Sequence, residues 1–207
     1  IRFGPTAPQT RYLPPIGDLF APAGIAGDDF LNLNIWTSDP TAGNLPVLVW
    51  IHGGGFQIGA GSDPIYDGTA FARDGVVLVS INYRLGVQGF LSVEGVEGSG
   101  NFGMLDQVAA LQWVQDNIGA FGGDADNVTV AGESAGGMSV GTLLAMPAAR
   151  GLFRRAIAQS GASHNGLSPS VAQAVAASFA ESVGVDSGDL SALQALPLDR
   201  LLAAEQK

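Results

Sequence analysis

The 207-residue chain carries 19 acidic and 9 basic side chains for a formal net charge of −10, with no cysteine and only two histidines. That balance excludes a basic nucleic-acid surface, and zero cysteines exclude a disulfide framework, a cysteine nucleophile and a thiolate metal site. Apolar residues make up 46%, ample for a core, yet runs such as "PVLVWI" and "GVVLVSI" fall well short of the ~18 residues of a membrane helix.

In chain order, a proline-rich coil, "RFGPTAPQTRYLPP", precedes "LNLNIW" (31–36), whose alternating pattern predicts a half-buried strand. "PVLVWIH" (46–52) is continuously apolar and predicts a strand buried on both faces. A glycine-rich loop, "GGGFQIGAGSDP", leads to a short helix near "DGTAFARD", and "GVVLVSINYR" (75–84) predicts the next buried strand. After a second glycine-rich loop, Met104, Val108, Leu111, Val114 and Ile118 fall on one helical stripe. "NVTVAGES" predicts a strand, and the small residues after Ser134 a helix ending near Pro147. "RRAIAQSG" (154–161) predicts a strand, 169–183 a helix with proline near its start, and the remainder two short helices broken at Pro197. Strands alternating with helices specify an α/β domain on a mostly parallel sheet.

"GESAG" (132–136) places Ser134 between two glycines where a strand hands over to a helix. Gly-x-Ser-x-Gly in that context is a nucleophile elbow. The serine is held in a strained conformation that projects its Oγ, and the glycines keep Cβ atoms out of the crowded turn. The alternative is an ordinary serine N-cap followed by a small-residue packing face. "WIHGGGF" (50–56) ends a strand in three glycines, the form of loop that lets backbone N–H groups approach an oxyanion, against the alternative of a flexible turn. This loop contains no Gly-x-Gly-x-x-Gly, and no Gly-Lys-Ser/Thr of a phosphate loop is present. No cofactor or metal is expected.

These stretches, with "VVLVSINYRLGVQGFL", "GNFGMLDQVAALQWVQDNIGAFGGDADNVTVAGESAGGMSV" and "LFRRAIAQSG", resemble the type-B carboxylesterases, and the bacterial members more closely than the animal ones. Animal members place a disulfide cysteine where this chain has Phe30 after Asp28-Asp29, a departure that argues against an animal secreted origin. The resemblance implies an α/β-hydrolase fold, a mostly parallel central sheet flanked by helices. It makes Ser134 the nucleophile and the backbone N–H groups of Gly54, Gly55 and Ala135 the oxyanion hole. Glu133 matches a buried acidic residue beside the nucleophile, in a supporting or purely structural role. His52 reads as structural, hydrogen-bonding the loop, and Asn82-Tyr83-Arg84 as scaffold. Phe56, Leu91 and Phe102 are candidates for the pocket mouth, each equally readable as core.

In this fold the triad order is serine, acid, histidine. His164 precedes Glu181, Asp186 and Asp189 and lies too close to Ser134, so "SGASHNG" reads as a loop histidine near the pocket rim. The triad acid and histidine are therefore expected outside residues 1–207. The chain reads as a partial α/β-hydrolase domain lacking the first strands and the C-terminal half, with the rest on a second polypeptide. Lys207, the only lysine, fits a trypsin-like cut. The expected partner is a small-molecule ester, with no nucleic acid and no membrane. A cytoplasmic location is expected, with secretion left open because the chain begins at Ile1. The contrasting reading is a non-catalytic cholinesterase-like binding domain or an inert fragment.

Overall fold

Val47, Val49 and Ile51 alternate along one strand with Leu48 and Trp50, so the strand presents two apolar faces. The two sets enter different clusters: the first joins the main core and the second packs with Trp36 and Leu78. That strand is the middle of a five-stranded sheet in a computed structural model describing residues 2–10 and 24–206. Lys207 and residues 11–15 of the proline-rich coil lie outside the described residues.

The strands are β1 (Leu33–Trp36), β2 (Leu45–Ile51), β3 (Val77–Ile81), β4 (Gly123–Glu133) and β5 (Arg155–Gln159), in spatial order β1-β3-β2-β4-β5. β1 runs antiparallel to β3, and every other pairing is parallel. The helices are α1 (Thr69–Arg73), α2 (Gly86–Phe90), α3 (Phe102–Asn117), α4 (Ala135–Ala145), α5 (Pro169–Val183), α6 (Leu190–Gln194) and α7 (Leu198–Ala204).

α3 and α4 cover one face. Met104, Leu111 and Val114 of α3, and Val140 and Leu143 of α4, pack on the odd-numbered residues of β2 and β3 and on Val128 and Val130 of β4. α1 lies on the opposite face, where Ala72 meets Trp36 and Leu78. α5, α6 and α7 have their own small core of Phe179, Val183 and Leu193, joined to Val93. Local chemistry sets α5: Ser168 caps its N-terminus through Val171 N–H, Pro169 opens it, and Gly184 in the left-handed region ends it.

The fold class and the element order agree with the sequence reading, with three differences. β2 is not buried on both faces, because Leu48 and Trp50 are only partly covered on the α1 side. α2 has no sequence signal: it is five residues long with two glycines, and its Gly89 is required because a Cβ there would strike the Arg84 carbonyl. β4 starts at Gly123, ahead of its apolar part, and its register against β2 shifts between Gly123 and Val128, opposite Leu45–Val47.

Leu111 is fully buried whereas Leu144 is 64% exposed. Leu111→Ala will cost about 2–5 kcal/mol of unfolding free energy, and Leu144→Ala about 0.5 kcal/mol or less, read from urea titration midpoints. Equal losses would contradict this placement of the core.

Candidate active site at the β4–α4 elbow

Ser134 joins β4 to α4 with φ 54° and ψ −120°, a conformation L-residues rarely adopt. Its side chain makes no capping hydrogen bond to α4, so the N-cap reading fails. Its N–H donates to the Gln159 carbonyl at 3.0 Å, and its carbonyl accepts from Met138 N–H at 2.9 Å. The turn is held from both sides by backbone, leaving the hydroxyl free of structural duty.

The flanking glycines follow from close packing. A Cβ on Gly136 would strike the Ile51 carbonyl of β2, and one on Gly132 would strike Gly136 itself. α4 therefore begins directly against the sheet. Ala135, fully buried, is its first residue. First-turn N–H groups lack intrahelical partners, and the helix dipole makes that end attractive to negative charge.

The HGGG loop reaches the same place. A Cβ on Gly53 would lie 3.2 Å from Ser134 Cβ, which puts the loop against the elbow. Gly54 and Gly55 take φ 107° and 63°, open to glycine. His52 is 1% exposed, stacks on Tyr83 at 4.5 Å and donates from Nδ1 to the Gly53 carbonyl at 2.7 Å. In a trans peptide the carbonyl of one residue and the N–H of the next point oppositely. Fixing the Gly53 carbonyl on His52 thus aims the Gly54 N–H away from the ring. Tyr83 completes the clamp, its hydroxyl donating to the His52 carbonyl at 2.9 Å. Asn82 Oδ1 accepts from Gly61 N–H at 2.8 Å, and Ser80 donates to the Gly61 carbonyl at 2.6 Å, tying the loop's far end to β3. The scaffold reading of His52 and of Asn82-Tyr83 matches these contacts.

Two further strained residues escaped the sequence reading. Phe56 and Ser160 have φ 63° and 51° and, with Ser134, are the non-glycine residues of positive φ among those described. Phe56 directly follows the three glycines, and Ser160 follows the Gln159 carbonyl that holds Ser134. No local motif marks either one, since their strain is imposed by tertiary packing. Phe56 is braced by Phe90 in an edge contact at 5.0 Å and by Gly86 N–H on its carbonyl at 2.8 Å.

Glu133 ends β4 at the rim of the sheet, and its side chain is exposed on this portion of the fold. Its carboxylate lies beside the Gly53 position. The pocket candidates separate. Phe56 lines a cavity of about 470 Å³ with Phe90, Met104, Thr142, Asn165 and Leu167. Leu91 and Phe102 line a different one of about 440 Å³, shared with Arg84 and Phe179. His164 is exposed on the loop that supplies Asn165 and Leu167 to the first cavity. Among the described residues no cluster of His, Asp or Glu could hold a metal, and no helix is long and apolar enough to cross a membrane.

Burial lowers the pKa of His52 from 6.5 to about 4, against a smaller upward pull from the Gly53 carbonyl. The folded value lies below the unfolded one, so the unfolded chain takes the proton first. Stability is therefore complete above pH 6.5 and is lost as pH falls towards 4, by about 3 kcal/mol. Urea midpoints of His52→Gln against the parent across pH 7 to 4 will show a shallower decline in the variant. Parallel curves would contradict the buried neutral imidazole.

The Carboxylesterase family profile matches residues 2–207. Para-nitrobenzyl esterase of Bacillus subtilis (strain 168) is 51% identical over 180 residues, covering 86% of this chain and 37% of that protein. Liver carboxylesterase 1 of Oryctolagus cuniculus is 51% identical over 164 residues, covering 78% and 28%. Among solved structures, a Geobacillus stearothermophilus carboxylesterase at pH 6.8 superposes with TM-score 0.86 at 46% identity, covering 99% of this chain and 42% of that one. This chain spans well under half the length of each of these relatives. On the match across its length and the elbow geometry alike, the chain belongs to the carboxylesterase family.

Proposed function

We propose that this chain supplies the nucleophile and oxyanion hole of a serine hydrolase that cleaves carboxylic esters. One observation carries the reading: Ser134 stands in a strained φ/ψ region at a strand-to-helix turn, with the HGGG loop packed against it. Ser134 Oγ attacks the ester carbonyl carbon as a base takes its proton. The carbonyl electrons move onto oxygen, which accepts hydrogen bonds from the N–H groups of Gly54, Gly55 and Ala135. Collapse, with the base returning its proton to the leaving oxygen, expels the alcohol and leaves an acyl-Ser134. Water, deprotonated by the same base, then displaces the serine, which regains the proton as the acid departs.

The general base and its orienting carboxylate lie on polypeptide outside residues 1–207, in the order serine, acid, histidine. β5 supports this division. It is the sheet edge, and Ile157 on it is 47% exposed, as expected of a strand that further polypeptide covers. The cavity lined by Phe56, Phe90, Met104 and Leu167 is the candidate for the apolar part of the ester, since it begins at the residue after the oxyanion glycines.

In the complete protein, Ser134→Ala will reduce turnover of a p-nitrophenyl ester by at least roughly 10³-fold. It will also abolish covalent labelling by a fluorophosphonate, read as an intact-mass shift. Retained turnover, or a label elsewhere in the chain, would reject the assignment.

A further inference from the structure

Between α3 and α4 the core is apolar apart from one pair. Gln107 and Ser139 are both fully buried, and Gln107 Nε2 donates to Ser139 Oγ at 3.1 Å. Gln107 Oε1 has no partner on the protein, and burying it carries a desolvation cost that an apolar side chain would not. A methionine of similar volume would fill the space without that cost. The glutamine is therefore not explained by packing.

Its position in the fold explains it. The elbow fixes where α4 begins, but apolar contacts are non-directional and leave its rotation against α3 unfixed beyond that point. A single buried hydrogen bond fixes register, the best-attested use of buried polar groups. Ser139 lies one turn beyond Ala135 on α4, so whatever sets Ser139 sets the Ala135 N–H. The preceding residue on α3 holds the opposite wall. Asp106 accepts from the Arg84 backbone N–H at 3.0 Å and from its guanidinium at 2.8 and 2.7 Å. Arg84 adjoins Tyr83, whose hydroxyl clamps His52 above the glycine loop. Consecutive residues of one helix thus tether the elbow helix and the HGGG loop.

We infer that Gln107 is a positioning residue for the oxyanion hole: its bond to Ser139 sets the rotation of α4 about its axis and so the Ala135 N–H relative to Gly54 and Gly55. The inference rests on the esterase reading above. A placement error of this kind, far from the chemistry, lowers the rate of the chemical step while leaving substrate binding in place.

The test uses the complete enzyme with Gln107→Met, Ser139→Ala and the double variant. Three quantities are read: kcat and KM for a p-nitrophenyl ester, and inhibition by a trifluoromethyl ketone, whose tetrahedral adduct needs the oxyanion hole. Expected are a roughly tenfold fall in kcat with KM within about twofold, a ketone Ki raised in proportion, and a double variant no worse than the poorer single one. Thermal melting of the double variant separates this from general loosening: replacing both partners by apolar groups leaves Tm near the parent's, whereas each single change orphans a buried polar group and lowers it. If Gln107→Met does not fold, Ser139→Ala alone decides. Unchanged kcat in folded variants, or reduced kcat with unchanged ketone inhibition, overturns the inference while the esterase reading stands. A parent without turnover or fluorophosphonate labelling overturns both.

Discussion

The constraint on which the site depends is steric: α4 starts so close to β2 that no side chain fits between them. Gly136 lies against the Ile51 carbonyl, and Gly132 lies against Gly136. With that approach fixed, the middle of the three residues between the glycines, Ser134, takes positive φ. Strain of this kind costs on the order of 1–3 kcal/mol and survives only where the surroundings over-determine it. Here the surroundings are the Gln159 carbonyl, the Met138 N–H and the parallel pairing of β4 with β2 and β5.

The glycine loop obeys the same logic through different forces. Three consecutive glycines would be a loose segment if only their own conformational freedom counted. His52 and Tyr83 remove that freedom by stacking, by Nδ1–H on the Gly53 carbonyl and by the phenol on the His52 carbonyl. A neutral, buried imidazole is well suited to this task, because a charged one would demand solvation that the site lacks. On the proposed reading, this ordering precedes substrate, the condition under which electrostatic stabilisation of an oxyanion is most effective.

Much of this was legible in the residues. The elbow and the HGGG loop carry their geometry in local sequence, because glycine and serine at fixed spacing are what the steric problem requires. β3 was legible from its apolar run and α5 from its proline and its helical pattern. What stayed hidden depends on partners distant in sequence. Phe56 and Ser160 are ordinary residues forced into strain by packing. Tyr83 gains its role only by lying beneath His52. α2 depends on a glycine at position 89, where a Cβ would strike the Arg84 carbonyl. Leu91 and Phe102, apolar and near the motifs in sequence, face a different cavity from Phe56 because α2 separates the two spaces.

The central claim is that Ser134 and three backbone N–H groups form one preorganised centre. A crystal structure of the complete protein after reaction with an alkyl fluorophosphonate tests it most directly. The account predicts phosphorus bonded to Ser134 Oγ, with the phosphoryl oxygen about 2.7–3.1 Å from the nitrogens of Gly54, Gly55 and Ala135. A phosphoryl oxygen turned towards solvent, or held by other donors, would contradict it.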